Sequence, residues 1–228
     1  MPSEKTDRFE KKFFISRMNA SAVDVLIKTH SALFRPLYHE RRVNNIYFDT
    51  IGLANYEDHV AGAANRWKVR MRWYGETFGE VKDPVLEIKM KYGEVGMKKN
   101  FSLPPTFIGD IIDQHALFNL LRQSSVSSYW KSQLQDLRPV LLNSYVRSYW
   151  MSADSSVRLT VDKDWTSYFI TPSSSLRIAS PIVHDGVILE MKYSIQSQDN
   201  AASIATKWPW RLTRNSKYVI GMEGFLSR

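Results

Sequence analysis

Four cations occupy every second position of the segment 66–73, and apolar residues fill the positions between them. The cations are Arg66, Lys68, Arg70 and Arg72, and the apolar residues are Trp67, Val69, Met71 and Trp73. Because successive side chains of a β-strand point to opposite faces, this spacing predicts a strand with one cationic and one apolar face. Such a row of like charges is tolerated when it faces open water or when an anion lies against it. Taken alone, the segment is interpreted equally well as a solvated edge strand.

The same alternation recurs along the chain, and this recurrence favours a bound anion over a solvated edge. We expect strands at residues 8–15, 43–50, 66–73, 85–92, 97–103, 142–150, 157–162 and 187–193. Their charged faces carry Glu10, Lys12, Arg66, Lys68, Arg70, Arg72, Glu87, Lys89, Lys91, Arg147, Arg158, Glu190 and Lys192. Cations outnumber acids on these faces by roughly three to one. Guanidinium and ammonium groups bind phosphate oxygens, and carboxylates hold Mg²⁺ or Mn²⁺ that bridges to phosphate.

The elements that must position these side chains are short strands and amphipathic helices. Alternating segments joined by glycine-containing turns predict antiparallel hairpins. A barrel with its charged face inward would enclose a basic tunnel, and helices would have to cover its apolar outer face. Helical spacing of apolar residues predicts helices at residues 20–34, 106–122, 125–137 and 199–206. We therefore expect an α+β fold and a single domain over residues 1–228, with residues 1–7 as a loose tail and residues 104–138 as a helical insert.

The composition limits the classes of protein to which the chain can belong. Its 228 residues include no cysteine, which excludes disulfides, thiolate metal sites and a cysteine nucleophile. The N-terminal residues lack the apolar run of a signal peptide, and no segment approaches the ~20 apolar residues of a spanning helix. We therefore expect a cytoplasmic protein that does not insert into a membrane. The net charge of +8 favours an anionic partner.

The arrangement of the charges narrows the choice of anion. A nucleic-acid surface would place basic and aromatic residues on one exposed face, whereas most aromatic residues here lie opposite the charges. We therefore expect no nucleic-acid partner. The sequence contains neither the P-loop GxxxxGK[ST] nor a kinase-type glycine loop, so phosphate must be bound by side chains.

Seven segments together resemble the VTC domain, the polyphosphate polymerase branch of the CYTH-like triphosphate tunnel metalloenzymes. They are RFEKKFFI, RWKVRMRWYG, LEIKMK, NSYVRSYW, VRLTVD, ILEMKYS and RNSKYVIGM, in the same order as in the family. The resemblance implies an antiparallel eight-stranded β-barrel tunnel with a basic lumen and with helices packed on the outside. It also implies an enzyme that transfers the γ-phosphate of ATP onto a polyphosphate chain with Mn²⁺ or Mg²⁺.

The resemblance implies a role for individual residues. The catalytic cations of the tunnel wall are Lys12, Arg70, Arg72, Lys89, Arg147, Arg158 and Lys192. The phosphate-binding residues are Tyr145, Arg214, Ser216, Lys217 and Lys98 or its neighbour Lys99, and the alternation adds Lys68 and Lys91. Glu190 corresponds to the metal-binding glutamate of the family. For Glu10 and Glu87, metal binding and ion pairing with the basic walls are equally good interpretations.

The first of these segments departs from the pattern of the wider superfamily. It has Arg8-x-Glu10-x-Lys12 in place of ExExK, whose glutamates hold metal in hydrolytic members. The missing first acid favours the polymerase over a two-metal triphosphatase. Hydrolysis of inorganic triphosphate or of a nucleoside triphosphate is an alternative function, and binding of polyphosphate without turnover is another. The expected partners are therefore ATP, inorganic triphosphate or polyphosphate.

Overall fold

The computed structural model of the chain describes residues 8–16, 18, 20–93, 95–171 and 176–227. The expected loose tail, residues 1–7, lies outside the described residues. The described chain is a mixed α+β structure with a large sheet. Every strand pair whose register is defined is antiparallel, as the hairpin pattern predicted. In this part of the chain no helix is both long enough and apolar enough to cross a bilayer.

The strands and helices of the described residues have the following bounds. The strands are β1 (Arg8–Ile15), β2 (Arg35–Asp49), β3 (Asn65–Tyr74), β4 (Gly79–Val81), β5 (Val85–Tyr92), β6 (Val95–Ser102), β7 (Thr106–Ile108), β8 (Ile111–Ile112), β9 (Arg138–Met151), β10 (Val157–Thr171), β11 (Leu176–Ile178), β12 (Ile182–His184) and β13 (Val187–Ser194). The helices are α1 (Ala20–Lys28), α2 (Ala54–Val60), α3 (Gln114–Gln123), α4 (Ser128–Leu134), α5 (Gln198–Thr206) and α6 (Lys217–Leu226). A 3₁₀ turn at Ile195–Ser197 precedes α5.

Contacts within the chain group the described residues into two compact units. The first unit draws its residues from Met1–Arg41, Tyr145–Trp165 and His184–Asn215. The second unit draws its residues from Arg42–Ser144, Thr166–Val183 and Ser216–Arg228. The long strands β2, β9 and β10 contribute residues to both units.

The first unit is built on the strand order β1-β13-β10. One face of these strands is apolar, and side chains such as Phe13, Leu159 and Met191 are buried on it. Helix α1 packs Val23 against this face, and α5 packs Ile204 against it. Each such side chain removed from water contributes about 1.5–3 kcal/mol. The apolar face is thereby covered by helices, and the opposite face keeps the charged residues.

The second unit is built on the strand order β2-β3-β5-β6. Met71 of β3 and Ile88 of β5 lie in its apolar core, together with Leu117 of α3 and Leu134 of α4. Within β3 the apolar positions 69, 71 and 73 are buried and the cationic positions between them are half-buried. The period-two pattern that predicted a two-faced strand at residues 66–73 is therefore confirmed.

The prediction of a closed eight-stranded barrel is wrong for the described residues. Eight strands do follow one another in the order β1-β13-β10-β9-β2-β3-β5-β6, but β1 and β6 at its two ends are not paired with each other. Within the first unit, the backbone of residues 212–213 pairs with β1. Phe13 forms a bridge with Leu212, and the Thr213 N–H donates to the Lys12 carbonyl at 2.8 Å. The Lys12 carbonyl oxygen of β1 therefore already has a hydrogen-bond donor.

Several predicted helices have different bounds in the structure. Residues 106–112, predicted as the start of a helix, form β7 and β8, and α3 begins only at Gln114. The Asp113 carboxylate caps α3 by accepting hydrogen bonds from the N–H groups of His115 and Ala116. Helix α1 ends at Lys28 instead of residue 34, and Leu33 adopts the left-handed conformation with φ of 50°. The predicted helix at residues 199–206 is confirmed by α5.

Gly186, which precedes β13, gives the first testable prediction. Its φ is +107°, and a Cβ atom placed there would lie 2.8 Å from the Ile15 carbonyl oxygen. We expect Gly186→Ala to lower the free energy of unfolding by about 1–3 kcal/mol, because the backbone would be both strained and crowded. Chemical denaturation measures this loss. Gly52→Ala is the matched control, since nothing lies within 4 Å of a Cβ atom there; equal stability of the two variants would contradict the prediction.

Candidate functional site

A cluster of alternating charges lies on β1 and β13 in the first unit. The register of the two strands places Lys12 opposite Glu190 and Glu10 opposite Lys192. Lys12 Nζ lies 2.8 Å from Glu10 Oε1 and 3.1 Å from Glu190 Oε1. Lys192 Nζ lies 3.4 Å from Glu10 Oε2 and 3.4 Å from Glu190 Oε2. Two carboxylates therefore share two ammonium groups, and we call these four residues the Glu10–Glu190 cluster.

The pKa values in this cluster follow from the balance between burial and charge. Burial and the nearby charge of Glu190 oppose ionisation of Glu10, but Lys12 and Lys192 outweigh them and lower the pKa of Glu10. Burial alone would lower the pKa of Lys12, but Glu190 and Glu10 outweigh it and raise that pKa. Glu10 and Lys12 are therefore charged at neutral pH through these ion pairs.

Arg147 of β9 adjoins this cluster through a buried carboxylate. Its guanidinium donates from Nε to Asp162 Oδ1 at 2.5 Å and from Nη2 to Asp162 Oδ2 at 2.6 Å. Nη2 also lies 3.8 Å from Glu190 Oε2, and the guanidinium carbon lies 5.3 Å from the centre of the Tyr145 ring. Burial disfavours the charged form, but Asp162 outweighs burial and raises the pKa of Arg147. Asp162 therefore fixes the orientation of Arg147, a role that the sequence reasoning did not assign.

Arg158 of β10 lies directly opposite Lys192 of β13 in the strand register. The two cations line a pocket of about 250 Å³ at the end of these strands, together with serine side chains. Like charges directly opposite each other on a sheet destabilise it unless an anion neutralises them. The first unit thus has an open pocket lined by Arg158 and by Lys192, which also belongs to the Glu10–Glu190 cluster.

In the second unit the buried carboxylate of Glu87, on β5, lies among three cations. Arg70 reaches Glu87 Oε2 from Nη2 at 2.5 Å and from Nε at 2.7 Å. Arg72 Nη1 lies 3.0 Å from Glu87 Oε1, and Lys98 Nζ lies 2.8 Å from the same oxygen. Lys98 rather than Lys99 therefore contacts Glu87. Burial raises the pKa of Glu87, but Arg70, Arg72 and Lys98 outweigh it and lower that pKa to about 2.

A pocket of about 230 Å³ in the second unit is lined by four cations among seven residues, and we call it the cationic pocket. The residues that line it are His59, Arg66, Lys68, Lys89, Met90, Lys91 and Gly96. Within the described residues none of its lining side chains is acidic. Like charges face each other across the strands here, because Arg66 is opposite Lys91 and Lys68 is opposite Lys89. The pocket therefore favours an anion.

His59 was not among the predicted site residues. It lies on α2, and its Nδ1 is 2.7 Å from the Asn55 carbonyl oxygen. Burial and the charges of Lys68, Arg66 and Lys89 lower the pKa of His59 to about 4. The imidazole is therefore neutral at pH 7. No spacing in the sequence indicated a site role for His59, because its side chain reaches the cationic pocket only when α2 is folded.

The three predicted C-terminal phosphate-binding residues divide between the two units. Arg214 belongs to the first unit and is exposed, whereas Ser216 and Lys217 belong to the second. Ser216 caps α6, its hydroxyl oxygen accepting from the Val219 N–H at 3.3 Å. Lys68 Nζ donates to the same oxygen at 2.7 Å. Ser216 therefore ties the start of α6, a helix that the sequence reasoning missed, to a cation of the cationic pocket.

The donor sets for a metal ion differ between the two units. Among the residues that the structure describes, no group of three or more His, Asp or Glu side chains is arranged to hold a metal. In the first unit, Glu10 and Glu190 come together on the same two ammonium groups. In the second unit, both oxygens of Glu87 are occupied by cations.

Comparisons with known proteins agree with this architecture. The family model described as the VTC domain matches residues 7–226. No curated protein matches the chain. Similar solved structures include an adenylate cyclase candidate from Vibrio parahaemolyticus, 9% identical over 93% of this chain and 97% of that one with a TM-score of 0.52. The PH1819 protein from Pyrococcus horikoshii is 12% identical over 96% and 99% of the two chains, with a TM-score of 0.54.

A further similar structure is an adenylyl cyclase candidate from Hippeastrum that is described as having a dominant triphosphatase activity. It is 15% identical over 96% of each chain, with a TM-score of 0.52. At these identities the solved structures establish a shared fold and not a shared reaction.

Glu87 gives a prediction on stability and pH. Its pKa is depressed from 4.5 to about 2, so its ion pairs stabilise the fold fully above pH 4.5 and are lost as the pH falls towards 2. We expect Glu87→Gln to cost up to about 3 kcal/mol at pH 7, and we expect this difference from the unmodified protein to shrink as pH approaches 2. Urea denaturation between pH 7 and pH 2 measures both effects.

The control for this measurement is Glu80→Gln, a change at an exposed carboxylate of β4. It should leave both the stability and its pH dependence close to those of the unmodified protein. If the difference in unfolding free energy between Glu87→Gln and the unmodified protein stays constant down to pH 2, the charge of Glu87 is not what stabilises the fold.

Proposed function

Because the chain belongs to the VTC domain family, we propose that it is a phosphoryl-transfer enzyme, a polyphosphate polymerase that moves the γ-phosphate of ATP onto a polyphosphate chain. The observation that carries this proposal is the excess of cations on β3, β5 and β6. There, seven cations share the charged face with one carboxylate: Arg66, Lys68, Arg70, Arg72, Lys89, Lys91 and Lys98 with Glu87. This surface favours an extended anion with many phosphate groups.

The cationic face supports phosphoryl transfer in a specific way. Transfer of a phosphoryl group requires positioning and neutralisation of charge on the phosphate oxygens, and little covalent chemistry from the protein. Arg70 and Arg72 present planar forks suited to two phosphate oxygens at once. Glu87 holds both guanidinium groups in place before substrate arrives. The arginines are therefore oriented as stabilisers of the transferring phosphoryl group, and Lys89 adds charge beside them.

The first unit supports binding of Mn²⁺ or Mg²⁺. Glu10 and Glu190 are hard oxygen donors of the kind these ions prefer, and phosphate oxygens and water would complete the coordination. Three cations, Lys12, Lys192 and Arg147, are balanced there by three acids, Glu10, Glu190 and Asp162. A divalent ion meets less repulsion in this balanced cluster than on the cationic face of the second unit. When bound, the metal would neutralise charge on the phosphates. We assign Glu87 to ion pairing and not to the metal.

Hydrolysis is the second candidate function. The structural similarity to the Hippeastrum protein described as a dominant triphosphatase favours it. The position of Arg8 argues against it, because the resemblance places a metal-binding glutamate of hydrolytic relatives there. The two functions differ in the acceptor of the phosphoryl group, which is a phosphate chain in one and water in the other.

One assay separates these functions. The purified protein is incubated with ATP and Mn²⁺, and separately with inorganic triphosphate and Mn²⁺. Polymer is detected on a gel and free phosphate by colour. We expect polyphosphate and ADP from ATP. Free phosphate without polymer would indicate a hydrolase in place of a polymerase. Binding of the substrate without either product would indicate a polyphosphate-binding protein.

Arg72 gives a prediction on catalysis. We expect Arg72→Ala to lower kcat/KM on the order of 100-fold, because a positioned donor to the phosphoryl oxygens is lost. The fold should be retained, since Arg70 and Lys98 still neutralise Glu87. Arg72→Lys, which keeps the charge but loses the fork, should recover only part of the activity. Arg138→Ala, at an exposed arginine, is the control; full activity of Arg72→Ala would remove this residue from the catalytic machinery.

Glu190 gives a prediction on metal binding. We expect Glu190→Gln to weaken Mn²⁺ binding by about tenfold or more, because one charged oxygen ligand is lost. Titration calorimetry with Mn²⁺ in the presence of inorganic triphosphate measures this change without turnover. Glu40→Gln is the matched control, since Glu40 also pairs with a lysine, Lys163 at 2.7 Å, outside the cluster. Unchanged Mn²⁺ affinity in Glu190→Gln would exclude Glu190 as a ligand.

A further inference from the structure

The pocket of about 250 Å³ beside Arg158 and Lys192 differs in chemistry from the cationic pocket. We propose that it binds the nucleoside of ATP, with the adjoining phosphate held by Arg158 and Lys192. We call it the serine pocket. This inference rests on the proposed use of ATP and specifies where the nucleotide, as opposed to inorganic phosphate, is recognised.

The composition of the two pockets separates their ligands. The cationic pocket offers charges and an imidazole, and no hydroxyl group lines it among the described residues. The serine pocket has its two cations, four serines and the apolar surfaces of Met151 and Tyr193. A nucleoside requires hydrogen-bonding partners for its ribose and base edges and an apolar surface for the base, whereas a phosphate chain requires hydrogen-bond donors, preferably charged, and no apolar surface. The serine pocket is therefore the better match to a nucleoside.

Three of the four serine hydroxyl groups of the serine pocket have hydrogen-bond partners within the protein. Ser194 Oγ lies 3.1 Å from Ser197 Oγ. Ser156 Oγ donates to Asp154 at 2.8 Å and accepts from Asn200 Nδ2 at 2.8 Å. Polar groups that are ordered before binding lose little further freedom when a ligand arrives. This arrangement suits specific recognition of ribose and base better than a general attraction to anions would.

Lys192 connects the serine pocket to the proposed metal ligands. It lines the pocket, and its Nζ lies 3.4 Å from both Glu10 Oε2 and Glu190 Oε2. A phosphate bound at Lys192 would thus lie beside the carboxylates that we assign to the metal. In the first unit this gives the order nucleoside, phosphate and metal expected for a nucleoside triphosphate. The pocket volume of about 250 Å³ is close to the lower end of the ~300–1,000 Å³ typical of small-molecule sites.

The test compares two ligands that share a triphosphate and differ in the nucleoside. Dissociation constants are measured by calorimetry for the β,γ-imido analogue of ATP and for inorganic triphosphate, each with Mn²⁺. The Ser194→Leu substitution fills the pocket. We expect it to weaken binding of the nucleotide analogue by about tenfold or more while inorganic triphosphate binds as before. Ser194→Ala removes one hydroxyl group and should weaken binding of the analogue by about fivefold. Ser203→Leu, an exposed position on α5, is the matched control and should change neither constant.

Each outcome decides the inference. A selective loss of affinity for the nucleotide analogue supports the proposal that the serine pocket binds the nucleoside. An equal loss of both ligands in the folded variants would make the serine pocket a phosphate subsite, and no loss of either would exclude the pocket from binding; both results overturn the inference. If Ser194→Leu loses its thermal unfolding transition, Ser194→Ala decides by the same criteria. Failure of the unmodified protein to bind inorganic triphosphate would instead overturn the proposed function.

Discussion

Repulsion among the cations on the charged strand faces is the strongest physical constraint on this protein. Two unit charges ~4 Å apart repel by about 4 kcal/mol at an effective dielectric near 20, so every cation held there requires a nearby anion or water. The second unit pairs three cations with a single carboxylate, the buried Glu87. The first unit instead alternates acids and bases across β1 and β13. The strand registers that create these contacts are thus fixed by charge as well as by apolar packing.

The excess of cations in the second unit and the balanced charges in the first unit have different chemical consequences. A face with many more cations than acids retains a strong positive field and attracts polyanions, but it repels a divalent metal. A balanced cluster has little net field, so a divalent ion meets less repulsion there. The Glu10–Glu190 cluster therefore suits the proposed divalent ion, and the cationic pocket suits a polyanion. Sequence composition alone, with its net charge of +8, does not separate the two.

The parts of the fold that the sequence predicted are those governed by local alternation. The strands at residues 8–15 and 85–92 agree with β1 and β5 because each side chain's face follows from its position in the chain. Closure of the sheet was predicted wrongly, because the pairing of β1 with residues 212–213 depends on contacts distant in sequence. Residues 106–112 were misassigned because a short apolar run fits a helix and a strand equally well.

The candidate site was predictable to a similar extent. The alternation identified which cations share a face, and Lys98 and Arg147 each contact acidic residues in the structure. It did not assign the roles of Asp162 or His59. The spacing in VRLTVD placed Asp162 on the charged face, but only the fold shows that its buried carboxylate holds Arg147 in a two-point ion pair. His59 had no signal, since no period relates a residue of α2 to the strands.

The buried carboxylates explain how such a site can be both stable and ready to bind. Arg72 donates Nε to Asn45 Oδ1 at 3.1 Å and Nη1 to Glu87 Oε1, contacts that engage two of the five N–H donors of a guanidinium. A fork fixed in this way need not be reoriented when phosphate arrives, and this lowers the cost of binding and of reaching the transition state. The negative charge of Glu87 weakens attraction to phosphate, but it also fixes the direction of the donors. Because the proposed phosphoryl transfer depends on positioning more than on total charge, orientation is the larger benefit. The cationic pocket supplies attraction with no acid among its described lining residues.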